Sequence, residues 1–336
     1  MIDTTTDFKS NFNFSLLEDE SKTLLEDKAI ETGFFNCRTA NECIDAAKNQ
    51  PIPKKLFSSL IVEGELIICV ADTGVGKSIY AVQIANEISK TAKVLYLDLE
   101  LSDKQFQNRY SENYENEYKF NENFFRVVFK RRYEMPNNVS YEDYFIDSLK
   151  VLITRTGSTI VIIDNMTRLI STDSDKASTA KPLMDRLNDL KFDFNLTMVL
   201  LEHTKKTDPS RPIQLNDLQG SKMKANFSDA VFTIGRSVKD KNLRYVKQLK
   251  VRSSEFEFDS DNIIVYEVIK ENSFLQLKFI DYGNENDHLK QLTDNDKENR
   301  YEKIIELKSH GLSNIQIGKQ LGISEGAIRK QLKKTI

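Results

Sequence analysis

The sequence predicts an α/β fold with a central, mostly parallel sheet, followed by a small three-helix domain. Between residues 56 and 282, short apolar runs alternate with longer mixed stretches that suit helices. Such runs are typical of parallel strands that are buried on both faces. The last apolar runs of this region follow one another without helices, which predicts hairpins at the sheet edge. Residues 299–336 carry three short helical patterns punctuated by Gly and Ser.

These patterns divide the chain into four parts: a polar N-terminal arm over 1–55, a main α/β domain over 56–282, a turn-rich linker over 283–298 and the helical domain over 299–336. In the arm, helices are predicted over 16–32 and 40–48. In the main domain, strands are predicted over 65–70, 93–99, 159–163 and 196–201, and helices over 77–89, 141–156 and 180–192. The edge hairpins take 230–234, 243–251, 263–268 and 275–280.

The composition predicts a globular chain, and the absence of a secretory pattern with the sparse cysteines favours a cytoplasmic location. Of the 336 residues, 39% are hydrophobic and 29% are charged, and the formal net charge is −3, so any nucleic-acid surface must be local. The first residues lack the pattern of a secretory signal, and no apolar stretch approaches the roughly 20 residues that span a bilayer. The three cysteines lack metal-site spacing, which indicates reduced thiols.

A phosphate-binding loop follows the first predicted strand of the main domain and opens the next helix. Its residues are Ala71, Asp72, Thr73, Gly74, Val75, Gly76, Lys77 and Ser78. They match the pattern G-x-x-x-x-G-K-[ST], except that Ala71 replaces the first Gly. In such a loop the backbone N–H groups and the helix N-terminus bind phosphates, Lys77 reaches the β- and γ-phosphates, and the Ser78 hydroxyl binds Mg²⁺. The sequence therefore predicts that ATP and Mg²⁺ bind here.

Acidic residues at two strand ends are candidates for the rest of the site. Asp164 follows the apolar run 159–163, where a carboxylate would hold the water shell of Mg²⁺. The next residue is Asn165 rather than the Glu that activates water in many P-loop motors, so that carboxylate must come from elsewhere. Glu100, just after the strand 93–99, is the candidate that orients and polarises the attacking water. Asp98 is the alternative, although it should lie deeper in the strand.

His203 lies at the end of another predicted strand, in the stretch LLEHTKK (200–206). A polar side chain at this place could sense the γ-phosphate and pass the signal on. The alternative is a strand-end His with a local hydrogen bond.

Together these residues resemble the RecA-like ATPases, in particular the branch of hexameric replicative helicases and plasmid RepA-like proteins. The resemblance covers roughly residues 56–255. The stretch DLELSDKQFQNRY (98–110) is similar to the Glu motif of that branch, with Glu100 at the catalytic position. LLEHTKK resembles its sensor strand, and DLQGSKMKANFSDAV (217–231) resembles the segment that leads into the next strand. Bacterial replicative helicases also often carry Ala at the position of Ala71.

The resemblance implies a homo-oligomeric ring, six subunits in these helicases, with ATP at each interface. Lys250 and Arg252 are similar to the Lys-x-Arg pair that reaches the nucleotide of the neighbouring subunit; the alternative is an exposed basic strand. The loops after the Asp164 and His203 strands would face a central channel, where basic side chains could track a single DNA strand. These side chains are Arg168, Lys205, Lys206, Arg211, Lys222 and Lys224, and ordinary solvated loop charge is the alternative.

The C-terminal helices, predicted over 301–309, 314–321 and 325–334, resemble the helix-turn-helix of resolvases and response-regulator activators. Residues 300–336 hold eight Lys/Arg against three Glu, in a chain whose net charge is −3. The third helix, capped by Ser324, would enter the major groove of duplex DNA, with Arg329, Lys330 and Lys333 as further contacts. The alternative is a helical bundle that docks a protein.

The leading hypothesis is an ATP-hydrolysing motor that acts on DNA: a helicase, a translocase or a remodelling ATPase in the replication or mobilisation of a mobile element. The alternative is an ATP-switched DNA-binding protein that regulates transcription or partitioning without unwinding. A small-molecule kinase on a P-loop scaffold is a third hypothesis. The helix-turn-helix and the pair of Glu100 and Asp164 count against it.

Overall fold

The computed structural model describes residues 30–31, 33, 35–130, 132–169, 177–205, 207–219, 222–291, 294–321 and 323–333. The chain divides into two compact units, Met1–Ile52 and Pro53–Ile336. No helix in the described part is long and apolar enough to cross a membrane.

In the first unit, strands β1 (Ile30–Glu31) and β2 (Asn36–Cys37) form an antiparallel pair. Helix α1 (Ala40–Lys48) follows and begins with a capping box, in which Thr39 and Glu42 each bond the other's backbone N–H. The helix predicted over 40–48 is therefore confirmed. The helix predicted over 16–32 lies outside the described residues, except that its end, Ile30–Glu31, is a strand.

The second unit is built on a nine-stranded sheet in the order β15-β14-β13-β12-β5-β11-β10-β6-β9. Strands β12, β5, β11, β10, β6 and β9 are parallel, and β13, β14 and β15 extend the sheet as an antiparallel meander. Their bounds are β5 Leu66–Ala71, β6 Val94–Asp98, β9 Phe124–Val127, β10 Ile160–Asp164, β11 Thr197–His203, β12 Ala230–Arg236, β13 Leu243–Lys250, β14 Ile263–Glu271 and β15 Phe274–Gly283. The predicted α/β class, mostly parallel sheet and edge hairpins are confirmed.

Helices cover both faces of this sheet. They are α2 Lys77–Ile88, α3 Asp103–Arg109, α4 Tyr141–Thr156, α5 Ala177–Asp193 and α6 Lys222–Phe227. Because side chains alternate along a strand, Ile67 and Cys69 of β5 join the core beneath α2, whereas Ile68 and Val70 join the core beneath α4 and α5. Each fully buried aliphatic side chain of this kind contributes about 1.5–3 kcal/mol to folding. This two-sided burial is why the strands are continuously apolar in sequence.

Shorter elements complete the second unit. Two small antiparallel pairs are β3 (Lys55–Phe57) with β4 (Ile61–Val62) and β7 (Ser111–Glu112) with β8 (Asn116–Glu117). Three 3₁₀ helices cover Met166–Arg168, Leu215–Asp217 and Glu285–His288.

The stretch predicted as a linker, 283–298, is instead ordered and packed in its first half. Glu285 is fully buried, accepts hydrogen bonds from Ser260 and the Ile213 amide, and forms an ion pair with buried Lys247. His288 and Leu289 are buried as well. The turn-rich composition misled the prediction because the burial of Glu285 depends on a charge partner 38 positions earlier in the chain.

The C-terminal domain holds three helices: α7 (Asp294–Ser309), α8 (Asn314–Leu321) and α9 (Glu325–Lys333). Their shared core is Ile304, Leu307, Ile317 and Ile328. A Cβ at Gly318 would lie 2.7 Å from the Ile323 carbonyl oxygen, so α8 admits only glycine where the next turn crosses it. The first helix begins earlier than predicted.

Candidate active site

Four parallel strands bring their carboxyl ends to one edge of the sheet. The register pairs Asp164 of β10 with Asp98 of β6, and His203 of β11 with Ala71 of β5. Ligands of open α/β sheets bind at this edge. The structure therefore brings together the phosphate loop, Asp164, Glu100 and His203, which the sequence had placed at strand ends up to 132 positions apart.

The phosphate loop has the backbone that anion binding needs. Gly74 and Gly76 have φ of 69° and 118°, a region that favours glycine. Helix α2 starts at Lys77, and no side chain caps its N-terminus. Its first N–H groups are therefore left for a phosphate, and the helix dipole adds to the attraction.

The Lys77 ammonium is buried against the loop and has three acceptors. It donates to the carbonyl oxygens of Ala71 (2.7 Å) and Asp72 (3.0 Å), and it lies 3.1 Å from Nδ1 of His203. Burial lowers the pKa of Lys77, and burial together with the Lys77 charge lowers the pKa of His203. A neutral His203 ring that accepts from Lys77 at Nδ1 agrees with the lowered pKa of His203.

Two arginines that sequence reasoning missed hold the outer side of the loop. Arg236, at the end of β12, donates to the carbonyl oxygens of Thr73 (3.2 Å) and Gly74 (2.9 Å). Arg244, its cross-strand partner on β13, is buried and donates to the carbonyl oxygen of Val75 (2.7 Å). Carbonyls that point away from a phosphate need donors, and these guanidinium groups supply them.

Asp164 is buried below the loop. The Tyr96 hydroxyl donates to its carboxylate at 2.6 Å, and Ser78 also hydrogen-bonds it. Burial raises the pKa of Asp164 to about 6, although these two hydrogen bonds oppose the rise. Asp164 and Ser78 thus offer two oxygens for Mg²⁺ or its water shell, which suits an ion that takes its other ligands from phosphates and water.

Glu100 is exposed at the edge and is held by its neighbours. The side-chain amide of Asn165 donates to Glu100 Oε1 at 2.5 Å. Asp98 accepts from the backbone N–H groups of Glu100 (3.3 Å) and Leu101 (2.9 Å), and its other oxygen is paired with Arg126 (2.9 Å). The geometry favours Glu100 over Asp98 as the water-polarising carboxylate, because Asp98 is buried and committed to Arg126.

His203 lies between these groups. Its Nδ1 is 3.5 Å from the Thr73 hydroxyl, and its Nε2 is 3.4 Å from the Asn165 amide nitrogen. The ring therefore contacts both the phosphate loop and the residue that holds Glu100, and its role as a γ-phosphate sensor stays a prediction.

Lys250 and Arg252 lie at the other end of the strands from the phosphate loop of their own chain. Lys250 pairs with Val231 near the start of β12, whereas the loop follows the end of the parallel strand β5. Lys250 donates to the carbonyl oxygens of Ala225 and Ser228, both at 2.6 Å. Arg252 pairs with Asp229 at 3.0 Å. They contribute nothing to their own site, and their predicted role in a neighbouring subunit stays a prediction.

One of the predicted DNA contacts is wrong in its placement. Lys224 is only 2% exposed and forms a buried ion pair with Glu202 (2.5 Å), so it does not face solvent. Arg211 forms a two-pronged pair with Asp217 (2.5 and 2.9 Å). Lys205 is exposed, with its ammonium 3.3 Å from the Asn216 carbonyl oxygen. Lys206 and the side chain of Lys222 lie outside the described residues.

The predicted contacts of the C-terminal domain are all on its surface. Ser324 caps α9 by accepting from the Ala327 N–H (3.2 Å). Arg329, Lys330 and Lys333 are exposed on the same helix, and Arg329 pairs with Glu325 at 2.7 Å. Their use in DNA binding stays a prediction.

These features define a P-loop ATPase site. The AAA_25 family model, described as an AAA domain, matches residues 37–209, which is just over half of the chain. The chain belongs to this family, and the family match together with the phosphate loop supports a RecA-like P-loop ATPase. No curated protein matches the sequence.

Among solved structures, the chain is similar to a KaiC-like protein from the hyperthermophilic archaeon Pyrococcus horikoshii. The two share 14% identity with a TM-score of 0.47, over 66% of this chain and 94% of that one.

Proposed function

We propose that the protein is a Mg²⁺-dependent ATPase that acts on DNA in the cytoplasm and uses hydrolysis to move along, open or remodel the DNA. One observation carries the proposal: Glu100, fixed by Asn165, faces the same edge as Lys77, Ser78 and Asp164. A carboxylate fixed beside a phosphate loop suits transfer to water rather than to a small-molecule hydroxyl. The basic C-terminal domain supports DNA as the partner.

The residues of the site have separable tasks in this mechanism. The loop N–H groups and Lys77 bind and orient the phosphates. Ser78 and Asp164 would hold Mg²⁺, which supplies charge neutralisation at the phosphates. Glu100 orients a water and accepts its proton, and Asn165 keeps the Glu100 carboxylate in place.

A homo-oligomer, a hexameric ring as in the helicases that the sequence resembles, is part of the proposal. Lys250 and Arg252 lie at the far edge of the sheet, so they can serve ATP only in another subunit. In such a ring Lys205 would be the described candidate for contact with a single DNA strand, and α9 would bind duplex DNA.

An ATP-switched DNA-binding regulator is the second candidate function, and the loop contacts favour it. Lys224 is buried and Arg211 is held by Asp217, so two of the predicted channel cations are committed within the chain. A motor with few channel cations would track a strand weakly.

Steady-state ATP hydrolysis with and without single- and double-stranded DNA separates the two. The wild type is compared with Glu100→Gln and, as the control, with Glu122→Gln, which removes an exposed carboxylate elsewhere on the ATPase domain. Stimulation by single strands that is lost in Glu100→Gln, with ATP binding retained, supports the motor. An ATP hydrolysis rate that DNA does not change rejects the motor and leaves the regulator. Transfer of phosphate to an acceptor other than water rejects both functions.

A further inference from the structure

Residues 204–219, which we call the sensor loop, leave the active site directly after His203; residue 206 is not described. The two ends of the loop are joined. The Gln219 N–H donates to the His203 carbonyl oxygen (2.9 Å), the Lys205 N–H donates to that of Asp217 (2.7 Å), and Thr204 bridges Leu218. A movement of His203 therefore displaces the base of the loop as a unit.

A bound nucleotide competes with His203 for the Lys77 ammonium. The three N–H donors of Lys77 are matched by three acceptors, the Ala71 and Asp72 carbonyl oxygens and His203 Nδ1. A phosphate oxygen that takes one of these donors competes with the acceptors already present. The imidazole, on the longest of the three contacts (3.1 Å), is the acceptor most easily displaced.

The loop is internally braced, so it transmits such a displacement. Arg211 and Asp217 form a two-pronged ion pair, and Asp217 also accepts from the Gln214 N–H (2.8 Å). Asp208 accepts from the N–H (2.9 Å) and the hydroxyl (2.7 Å) of Ser210. Charged hydrogen bonds of this kind hold a loop in one conformation more firmly than neutral ones do.

The far end of the sensor loop contacts the C-terminal domain. Arg300 of α7 donates to Asp208 (3.0 Å) and to the Ser210 hydroxyl (3.3 Å). The Asp208 side chain is only 8% exposed and that of Arg300 is 21% exposed, so this pair is shielded from salt. Every polar contact described between helices α7–α9 and the ATPase domain is made by Arg300.

We infer that the Asp208–Arg300 ion pair couples the nucleotide state at Lys77 and His203 to the placement of the C-terminal domain, so that ATP changes the affinity of that domain for duplex DNA. Arg300 acts as a positioning residue, since its guanidinium is engaged by Asp208 and Ser210 of the sensor loop. Coupling of two binding sites is reciprocal, so duplex DNA changes ATP affinity by the same factor. The inference rests on the proposed function in requiring that the chain bind both ATP and DNA.

The test is the affinity for a mixed-sequence duplex, measured by fluorescence anisotropy with Mg²⁺ and either a non-hydrolysable ATP analogue or ADP. In the wild type we expect the two affinities to differ by roughly 5-fold or more. In Arg300→Gln the ratio of the two DNA affinities falls to about 1, while basal ATP hydrolysis stays near wild type. Arg300→Lys keeps the positive charge and restores part of the ratio.

Lys303→Gln is the matched control, because Lys303 lies on the same helix and pairs only locally with Glu306 among its described partners. It should keep the wild-type ratio. A wild-type ratio of 1, or a full ratio in Arg300→Gln, overturns the inference while the proposed function stands. A wild type that binds ATP but no DNA in either state overturns the inference and the proposed DNA function together.

Discussion

The carboxylate of Glu100 lies 2.5 Å from the side-chain amide nitrogen of Asn165, the residue that follows Asp164. The residue after Asp164, the candidate Mg²⁺ ligand, therefore positions Glu100, the candidate base, and is not itself the base. Removing a hydrogen bond to a charged group costs about 1.5–3 kcal/mol.

Asn165→Ala should accordingly lower kcat for ATP hydrolysis roughly 10-fold to 100-fold, with little change in KM. In the Glu100→Gln background the same substitution should add little, because the two residues act as one unit. Steady-state kinetics on the single and double variants measure this. Effects that simply multiply would mean that Asn165 acts independently of Glu100.

Arg236 supports the phosphate loop from outside, through the carbonyl oxygens of Thr73 and Gly74. Arg236→Ala should raise KM for ATP by roughly 3-fold to 10-fold, since a less ordered loop binds phosphates more weakly. Lys239→Ala, in the following turn, is the control, because its contact with Asp287 is exposed. Unchanged ATP affinity in Arg236→Ala would show that the loop holds its shape without this side chain.

Asp164 predicts a pH dependence of Mg²⁺ binding. Burial raises its pKa to about 6, and the ionised form is the one that holds the metal, so Mg·ATP affinity should fall as the pH drops below about 6. Calorimetry in buffers of different ionisation enthalpy should show proton release on binding near that pH. The side chain of Asp164→Asn does not titrate, so this variant should release fewer protons on binding. Equal proton release in that variant would assign the effect to another group.

The same shift has the opposite consequence for the ligand-free fold. Between the unfolded value of about 3.9 and the folded value of about 6, the folded state binds more protons than the unfolded state does. The contribution of Asp164 to stability is therefore full below that window and is lost as the pH rises through it. Urea unfolding of wild type against Asp164→Asn across these pH values measures the difference.

The buried pair of Lys224 and Glu202 predicts a stability effect where the sequence had suggested a DNA contact. Lys224→Ala should lower the free energy of unfolding by about 3–5 kcal/mol, because it leaves Glu202 buried and unpaired. The double change Lys224→Met and Glu202→Leu should recover most of this loss. Urea unfolding measures both, and a Lys224→Ala variant of wild-type stability would contradict the pairing.

The exposed lysines of α9 predict a salt effect. Lys330→Gln and Lys333→Gln should each weaken duplex binding similarly on all sequences and reduce the slope of log K against log salt by about 1. Lys303→Gln on α7 is the control. Unchanged slopes in both α9 variants would remove this helix from the DNA interface and favour a protein-docking role for the domain.

A site residue was predictable from sequence where the same short stretch of chain contains both the functional side chain and the strand that positions it. The phosphate loop is contiguous, and Asp164 and Glu100 each follow an apolar strand, whose carboxyl end defines their place. His203 follows the same rule. Parallel strands share one edge for their carboxyl ends, so these separate stretches converge without further information.

The residues that sequence reasoning missed depend on which strands become neighbours. Arg236 and Arg244 reach the loop because β12 lies beside β5 and pairs with β13. Arg126 reaches Asp98 because β9 pairs with β6. The prediction that Lys224 faces solvent was wrong for the same reason, since its partner Glu202 lies on β11, far from it in sequence. A basic residue after a strand end was the available signal for Arg236, but it does not distinguish a loop clamp from a solvated charge.

The ion pair between Lys247 and Glu285 decides where the chain can be divided. Glu285 lies beyond the last strand but completes the interior of the ATPase domain, where it neutralises Lys247 and ties the sensor loop through the Ile213 amide. A protein shortened at the end of β15 would keep the Lys247 ammonium in the interior without its counter-charge. Recombinant preparation of the catalytic half therefore needs a C-terminus after Leu289, and a cut at Gly283 would yield an aggregating product.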